Sequence, residues 1–298
     1  EEEIFCQENI NSPELIRYLQ THGDEYGLFV FIPYMFGPIY EGCQVCPEKS
    51  VMIPCLHDES YAYLHCFREA FSKVKGMVFN AEPERELAEK LYEVKGENFI
   101  TFGLGMDTDW EADGERFRKK YKIEGPFLLY AGRKDKGKRV DVLVRYFHEF
   151  CKREKKELKL VLIGGGNISL PDPEHMIDLG FLDIQDKYDA YAAASVFCNP
   201  SEMESFSIVI MESWLAGRPV LVNEKCPVTT DFVRQANGGL YYMNYAEFAL
   251  SLRYLLDHPE TALRLGENGK EYVLHHFSWD KMVQNYQSFL GRLMKEIN

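Results

Sequence analysis

What the sequence lacks narrows the field first. No run of about 18 apolar residues occurs, so no membrane-spanning helix is expected, and no segment resembles a secretory signal. There is no GxSxG, no HExxH, no protein-kinase signature set and no P-loop GKS or GKT. Cys43 and Cys46 form a CxxC, but neither a second CxxC nor an HxxxH is present to complete a zinc site. No metal centre is therefore expected. Basic residues are in deficit: 34 Lys and Arg stand against 47 Asp and Glu, for a net charge of −13. A nucleic-acid binder needs a basic face to displace counterions, so that class is set aside. Attraction to anionic lipid through overall charge is disfavoured for the same reason. Solenoid repeats and low-complexity segments are also missing.

What is present describes a folded α/β protein. The 298 residues are 46% hydrophobic and 27% charged, enough for one large or two medium domains with real cores. Several of the eight cysteines lie inside apolar runs such as SVFCNP and VMIPCL, where a free thiol acts as a small hydrophobe. Reduced thiols suit a cytoplasmic protein; a peripheral place at the inner membrane face is compatible with the chain but not indicated by it. Short apolar runs alternate with helical patterns, which reads as successive βα units and parallel sheets. The first series has strands expected at 27–33, 50–56, 76–80 and 98–103, with helices near 12–21, 59–73 and 83–93. Gly103, Gly105 and the polar stretch MDTDWEADGE mark a boundary. The second series has strands expected at 126–133, 158–165, 176–182, 195–201, 219–224 and 238–243, with helices near 139–153, 185–194 and 206–216, and a helical tail. Strands this uniformly apolar are covered by helices on both faces, and six of them make a complete Rossmann-like domain. The expected division is 1–105, 106–276, and a last helix over 277–298 packing back toward the first domain. Four strands are few for a standalone open sheet, and the chain opens EEEIFCQENI without an initiator Met. The expectation is that the first domain is incomplete and its opening strands lie outside this chain.

Ligands of parallel α/β sheets bind at the carboxyl ends of the strands, and four such ends carry chemistry. In YAGRKDKGKRVD, Gly132 is followed by Arg133, Lys134, Lys136, Lys138 and Arg139, five cations in an otherwise acidic chain. Beside a helix N-terminus they suit a diphosphate; the plainer reading is a solvated basic loop. In NPSEMESFSIVIMES, Glu204 and Glu212 stand eight positions apart, on the order of 10 Å if helical. Carboxylates at that separation can accept paired hydrogen bonds from two sugar rings; the plainer reading is two ordinary exposed glutamates. In PCLHDESYAYL, His57 follows a buried strand and Asp58 is placed to cap the next helix. A lone histidine is often structural. In LIGGGN and IDLGFL, glycines let backbone approach a ligand closely, though GGG is not GxGxxG.

Taken in order, these segments resemble the retaining GT-B glycosyltransferases of family four, the group with an E-x7-E motif. SEMESFSIVIMES places Glu204 and Glu212 in the motif's two positions, and GRKDKGK places Arg133 and Lys138 in the family's Arg-x4-Lys diphosphate clamp. LIGGGN and LGFL match segments that line the nucleotide base, and IPCLHDE resembles the acceptor-domain histidine segment, with His57 in that place. QENINSPELIRYL, LHDE and ESFSIVIME look like segments of bacterial members. The resemblance implies two Rossmann-like domains facing across a cleft and a nucleotide-diphosphate-sugar donor. It implies an unknown glycan, lipid-linked or small-molecule acceptor, and no cofactor or essential metal. It gives Arg133 and Lys138 the leaving diphosphate, Glu204 the transferred sugar, Glu212 the ribose and His57 the sugar near its anomeric centre. Ser205, Phe206 and Ser207 would offer backbone amides, Gly132 and Gly165 close backbone approach, and Ile177 to Leu182, with Phe181 and Leu182 foremost, the walls around the base. The family's glycines after the first motif glutamate and two residues later are Ser205 and Ser207 here, and the glycine usual after the clamp lysine is Arg139. Other readings of the same fold are a nucleotide-sugar epimerase, a phosphorylase, or a non-catalytic nucleotide-sugar-binding subunit.

Overall fold

The computed structural model describes residues 2–154 and 157–297. The chain divides into two units, one made of residues 1–105 and 279–298, the other of residues 106–278.

The first unit is built around a parallel sheet in the order β1-β2-β3-β4, with β1 Phe29–Phe31, β2 Ser50–Met52, β3 Gly76–Phe79 and β4 Phe99–Thr101. Its helices are α1 Glu2–Glu8, α2 Pro13–His22, α3 Gly37–Val45, α4 His65–Phe71 and α5 Glu82–Tyr92. Prolines at the first turns of α2, α3 and α5 start these helices, because a first-turn residue needs no amide donor. The core gathers Phe31, Met52, Phe67, Phe71, Phe79 and Tyr92. Cys43 is buried in it, and burial pushes its thiol up to about 12. The CxxC thus has one sulfur in the core as an apolar group. Among the described residues the cysteines are reduced.

The second unit carries a six-stranded parallel sheet in the order β10-β9-β8-β5-β6-β7. Its strands are β5 Phe127–Ala131, β6 Lys159–Ile163, β7 Met176–Asp178, β8 Val196–Asn199, β9 Val220–Asn223 and β10 Gly239–Tyr242. The helices are α6 Gly114–Tyr121, α7 Val140–Glu154, α8 Ile184–Ala193, α9 Ile208–Leu215, α10 Pro227–Ala236, α11 Tyr245–Asp257 and α12 Pro259–His276. Every residue of β5, β8 and β9 is buried, as strands flanked by helices on both faces must be. Counted outward from β5, the order is the doubly wound one, and its direction reverses between β5 and β8. That reversal leaves a crevice at the strand carboxyl ends, where the loops after β5 and β8 emerge.

The chain then returns to the first unit as α13, Trp279–Ile297. Phe289 and Leu293 of α13 pack on Val51 and Val78 of the sheet. Among the described residues no helix is long and apolar enough to cross a membrane.

Several elements differ from the sequence-based expectation at their edges. The loop after β2 is longer than expected, since β2 ends at Met52 and α4 begins only at His65. Asp58 does not cap α4: its carboxylate accepts from the Tyr63 hydroxyl at 2.7 Å, while Glu2 takes the amides of His65 and Cys66, each at 3.1 Å. Helix α9 begins at Ile208 rather than Phe206; Glu204 lies in the loop before it, where the sequence places it, so its separation from Glu212 is not set by helical rise alone.

Candidate active site

A cavity of about 290 Å³ opens where β5, β6, α8 and α9 converge, and its walls include Gly132, Arg133, Gly165, Phe181, Leu182 and Glu212. Two glycines make the floor possible. Gly132 has φ +150°, and a Cβ on Gly164, at φ +116°, would stand 2.1 Å from the Gly132 carbonyl oxygen. Only backbone without side chains can pass this closely.

Glu212 projects from α9 and is buried to 6% exposure. Its two carboxylate oxygens are held separately: Lys187 Nζ donates at 2.5 Å and the Tyr191 hydroxyl at 2.9 Å. Burial, and then the charge of Glu212, pushes the Tyr191 phenol well above its ordinary value, so it stays a donor. Lys187 and Tyr191 are four residues apart on α8 and therefore share a face. Sequence reading passed over both, although their i, i+4 spacing in DKYDAY carried the signal.

Glu204 lies in the loop after β8. It accepts from Lys138 Nζ at 2.8 Å, and Asn199 Nδ2 lies 3.4 Å away. Lys138 and Glu204, distant in sequence, are thus brought together by the switch point. A parallel ion pair joins the same two loops, Arg139 to Glu202 at 2.8 Å. Ser207 holds left-handed backbone, φ +75°, and its hydroxyl oxygen accepts from Asn199 at 2.9 Å. Ser205 and Ser207 flank Phe206, whose ring is buried against Phe232 and Phe277. The Phe206 side chain therefore anchors the loop in the core, and any ligand contact from it is through its amide. Among the described residues the amides of Ser207, Ile208 and Val209 have no intramolecular acceptor. They form an unpaired helix start of the kind that binds anions.

The five cations after β5 separate into different roles. Arg133 is largely exposed, its nearest carboxylate being Asp135 at 3.8 Å. Lys136 is exposed, Lys138 and Arg139 are paired as above, and Lys134 is buried. His57 lies in the first unit, with Nδ1 3.5 Å from a Glu59 carboxylate oxygen. The amide of its neighbour Leu56 donates to the buried Glu84 at 2.6 Å, and Glu84 also accepts from Asn80 N at 2.6 Å. Among the described residues no three His, Cys, Asp or Glu side chains converge to hold a metal ion.

Residues 113–272, more than half of the chain, match the family Glycosyl transferases group 1. The chain belongs to this family. The D-inositol 3-phosphate glycosyltransferase of Corynebacterium aurimucosum is 28% identical over 244 residues, which are 74% of this chain and 58% of that relative. Sucrose-phosphate synthase 4 of Arabidopsis thaliana is 27% identical over 191 residues, 55% of this chain and 18% of that relative. The chain spans little more than half the length of the inositol-phosphate relatives it matches. Among solved structures, Anabaena HepE in complex with UDP superposes with a TM-score of 0.80 at 14% identity, covering 93% of this chain and 82% of that one. The sucrose-phosphate synthase of Thermosynechococcus elongatus gives 0.73 at 19% identity, covering 95% and 81%. At such identities the likeness establishes fold, and the fold is that of the GT-B glycosyltransferases. The stretch matched to the group 1 family contains the cavity, Lys138, Glu204 and Glu212.

Proposed function

We propose that this protein belongs to a retaining glycosyltransferase that moves a sugar from a nucleoside diphosphate sugar to an acceptor, and that its second unit binds the donor. The observation that carries the proposal is Glu212. A buried carboxylate at the edge of a largely apolar cavity, fixed by Lys187 and Tyr191, is oriented before any ligand arrives. It suits a pair of ribose hydroxyls as acceptor. The cavity, near the lower end of the about 300–1,000 Å³ typical of ligand sites, suits a nucleoside-sized group between Gly165 and Phe181. Beyond it stand Arg133, Lys138 and the unpaired amides at the start of α9, which meet the charge of a diphosphate. As the leaving group departs they stabilise its growing negative charge, and no metal is invoked for that role. Glu204, beside Lys138, accepts from hydroxyls of the transferred sugar. The bound UDP of the HepE structure supports this reading by its chemistry.

Calorimetric titration with UDP, GDP, ADP and their common sugar conjugates, with and without Mg²⁺, tests the donor site. Binding of one nucleotide is expected without metal, weakened about 30-fold or more in Lys138→Ala, since a charge-assisted contact is worth about 2–5 kcal/mol when truncated. Failure of all three nucleotides to bind would overturn the proposal for the second unit. Glu212→Ala is a poor first variant, because it strands Lys187 and buried Tyr191 and is expected to cost about 3 kcal/mol of stability. Glu212→Gln keeps an acceptor and separates the two effects.

A further inference from the structure

Lys134 stands apart from the other cations of its loop. Its side chain is 1% exposed, so its ammonium cannot meet a diphosphate outside the cavity floor. It reaches instead across the strand ends, donating to the Gly164 carbonyl at 2.6 Å and to Asp178 Oδ1 at 2.6 Å. Asp178 Oδ1 also accepts from Gly180 N at 2.9 Å, and Gly180 O accepts from Gly164 N at 2.7 Å. The backbone of Lys134 joins the same assembly, with its N–H donating to Gly165 O at 2.8 Å. One ammonium thus ties the ends of β5, β6 and β7 into a closed ring of hydrogen bonds. The segment it fixes leads directly into Phe181 and Leu182, which line the cavity together with Gly164 and Gly165. Phe181 itself is 88% exposed, so its own side chain does little to fix where it stands. A buried ammonium is costly unless paired, and its only charged partner among the described residues is Asp178.

We propose that Lys134 is a positioning residue for the base end of the cavity: through Asp178 and the Gly164–Gly180 pair it sets the gap between the Gly164–Gly165 turn and Phe181–Leu182, and so governs affinity for the nucleoside rather than for the phosphates. The inference rests on the donor reading of this cavity. It carries a selectivity that a purely structural lysine would not have. Removing a cation that touched phosphate would weaken all phosphate ligands alike. Loosening the wall around the base should weaken nucleotides and spare inorganic pyrophosphate.

The test uses the whole chain with Lys134→Met, which keeps the apolar stem and removes the ammonium, and with Asp178→Asn, which removes the carboxylate's charge but leaves an oxygen to accept from Lys134 and Gly180, should the first variant fold poorly. The nucleoside diphosphate bound by the unaltered protein and inorganic pyrophosphate are titrated in parallel. The nucleotide should bind about tenfold more weakly, the loss of roughly one charge-assisted hydrogen bond's worth of order, while pyrophosphate changes less than about twofold on the same scale. Equal weakening of both ligands, or of neither, in a folded variant overturns the proposal. Amide hydrogen exchange of the ligand-free protein reads the clasp independently: peptides covering 176–182 should exchange faster in Lys134→Met. If the unaltered protein binds no nucleotide, the donor reading fails on its own, and unchanged exchange at 176–182 would remove the clasp itself.

Discussion

Arg139 and Ser207 hold backbone that side chains rarely adopt, with φ of +56° and +75°. Both positions stand out in the sequence because the resembling family carries glycine there, and the left-handed angles supply the physical reason for that glycine. In this chain each side chain has found a local partner, since Arg139 pairs with Glu202 and Ser207 accepts from Asn199. For Arg139 the sum is unfavourable. Left-handed backbone costs a non-glycine residue about 1–2 kcal/mol, and Arg139 Nε is buried with no partner among the described residues. The ion pair it makes is partly exposed and worth about 0–1 kcal/mol. Glycine in turn loses more freedom on folding, about 0.4–1 kcal/mol. Arg139→Gly should therefore leave stability unchanged or raise it by about 1 kcal/mol, read as the urea unfolding midpoint. A loss of about 2 kcal/mol or more would show that the Arg139–Glu202 pair, rather than the backbone, decides how these two loops are held. No pattern in the sequence announces the pairing of Lys138 with Glu204 or Arg139 with Glu202. Those pairs exist only because the sheet reverses between β5 and β8.

At the scale of elements, all ten strands were legible because each is a short apolar run ended by Gly, Pro, Asn or a charge. The helices that escaped notice are short, ten residues or fewer, which gives periodicity little to work on. α3 opens with Gly-Pro, α10 begins PVTT with β-branched residues, and α6, GERFRKKY, has one buried residue, Phe117. Their apolar positions are satisfied by tertiary neighbours that periodicity does not see. Glu84 on α5 shows the same limit. It reads as one more surface glutamate, yet it is 1% exposed and its carboxylate fastens the loops after β2 and β3. Burial raises its pKa from 4.5 to about 8, against the opposing pull of the backbone amides. The folded chain therefore holds this proton over a range in which the unfolded chain has lost it. The stability Glu84 contributes by that route is fully present below 4.5 and is lost as pH rises through about 8. Glu84→Gln cannot titrate and presents a donor where an amide needs an acceptor. It should be less stable than the parent by about 1–3 kcal/mol near pH 5, with the difference shrinking toward pH 8. A difference that grows with pH would mean that the amide bonds outweigh burial and hold the carboxylate ionised.

For the whole molecule, the chain path matters more than either sheet. The polar stretch after Gly105 was legible as a boundary, and the amphipathic tail as a helix. That the tail belongs with the first unit follows from Phe289 and Leu293, whose apolar surface is covered by Val51, Val78 and their neighbours. Arg292 adds hydrogen bonds to Asn98 Oδ1 at 2.8 Å and Glu97 O at 2.9 Å, and Glu296 pairs with Lys75 at 2.8 Å. Two buried side chains of this kind contribute about 3–6 kcal/mol together. A domain's net stability is only about 5–15 kcal/mol, so the first unit depends heavily on a helix that arrives last in the chain. The second unit spans residues 106–278 without it. Ending the chain at Ser278 should leave residues 1–105 open to limited proteolysis, while residues 106–278 keep their own cooperative unfolding transition and their nucleotide affinity. The exposed Val51 and Val78 would add an apolar patch on the first sheet and lower solubility. Persistence of two protected units after this truncation would mean that β1 to β4 and α1 to α5 bury enough surface by themselves. Loss of both would mean that the second unit, and with it the donor site, draws stability from the first.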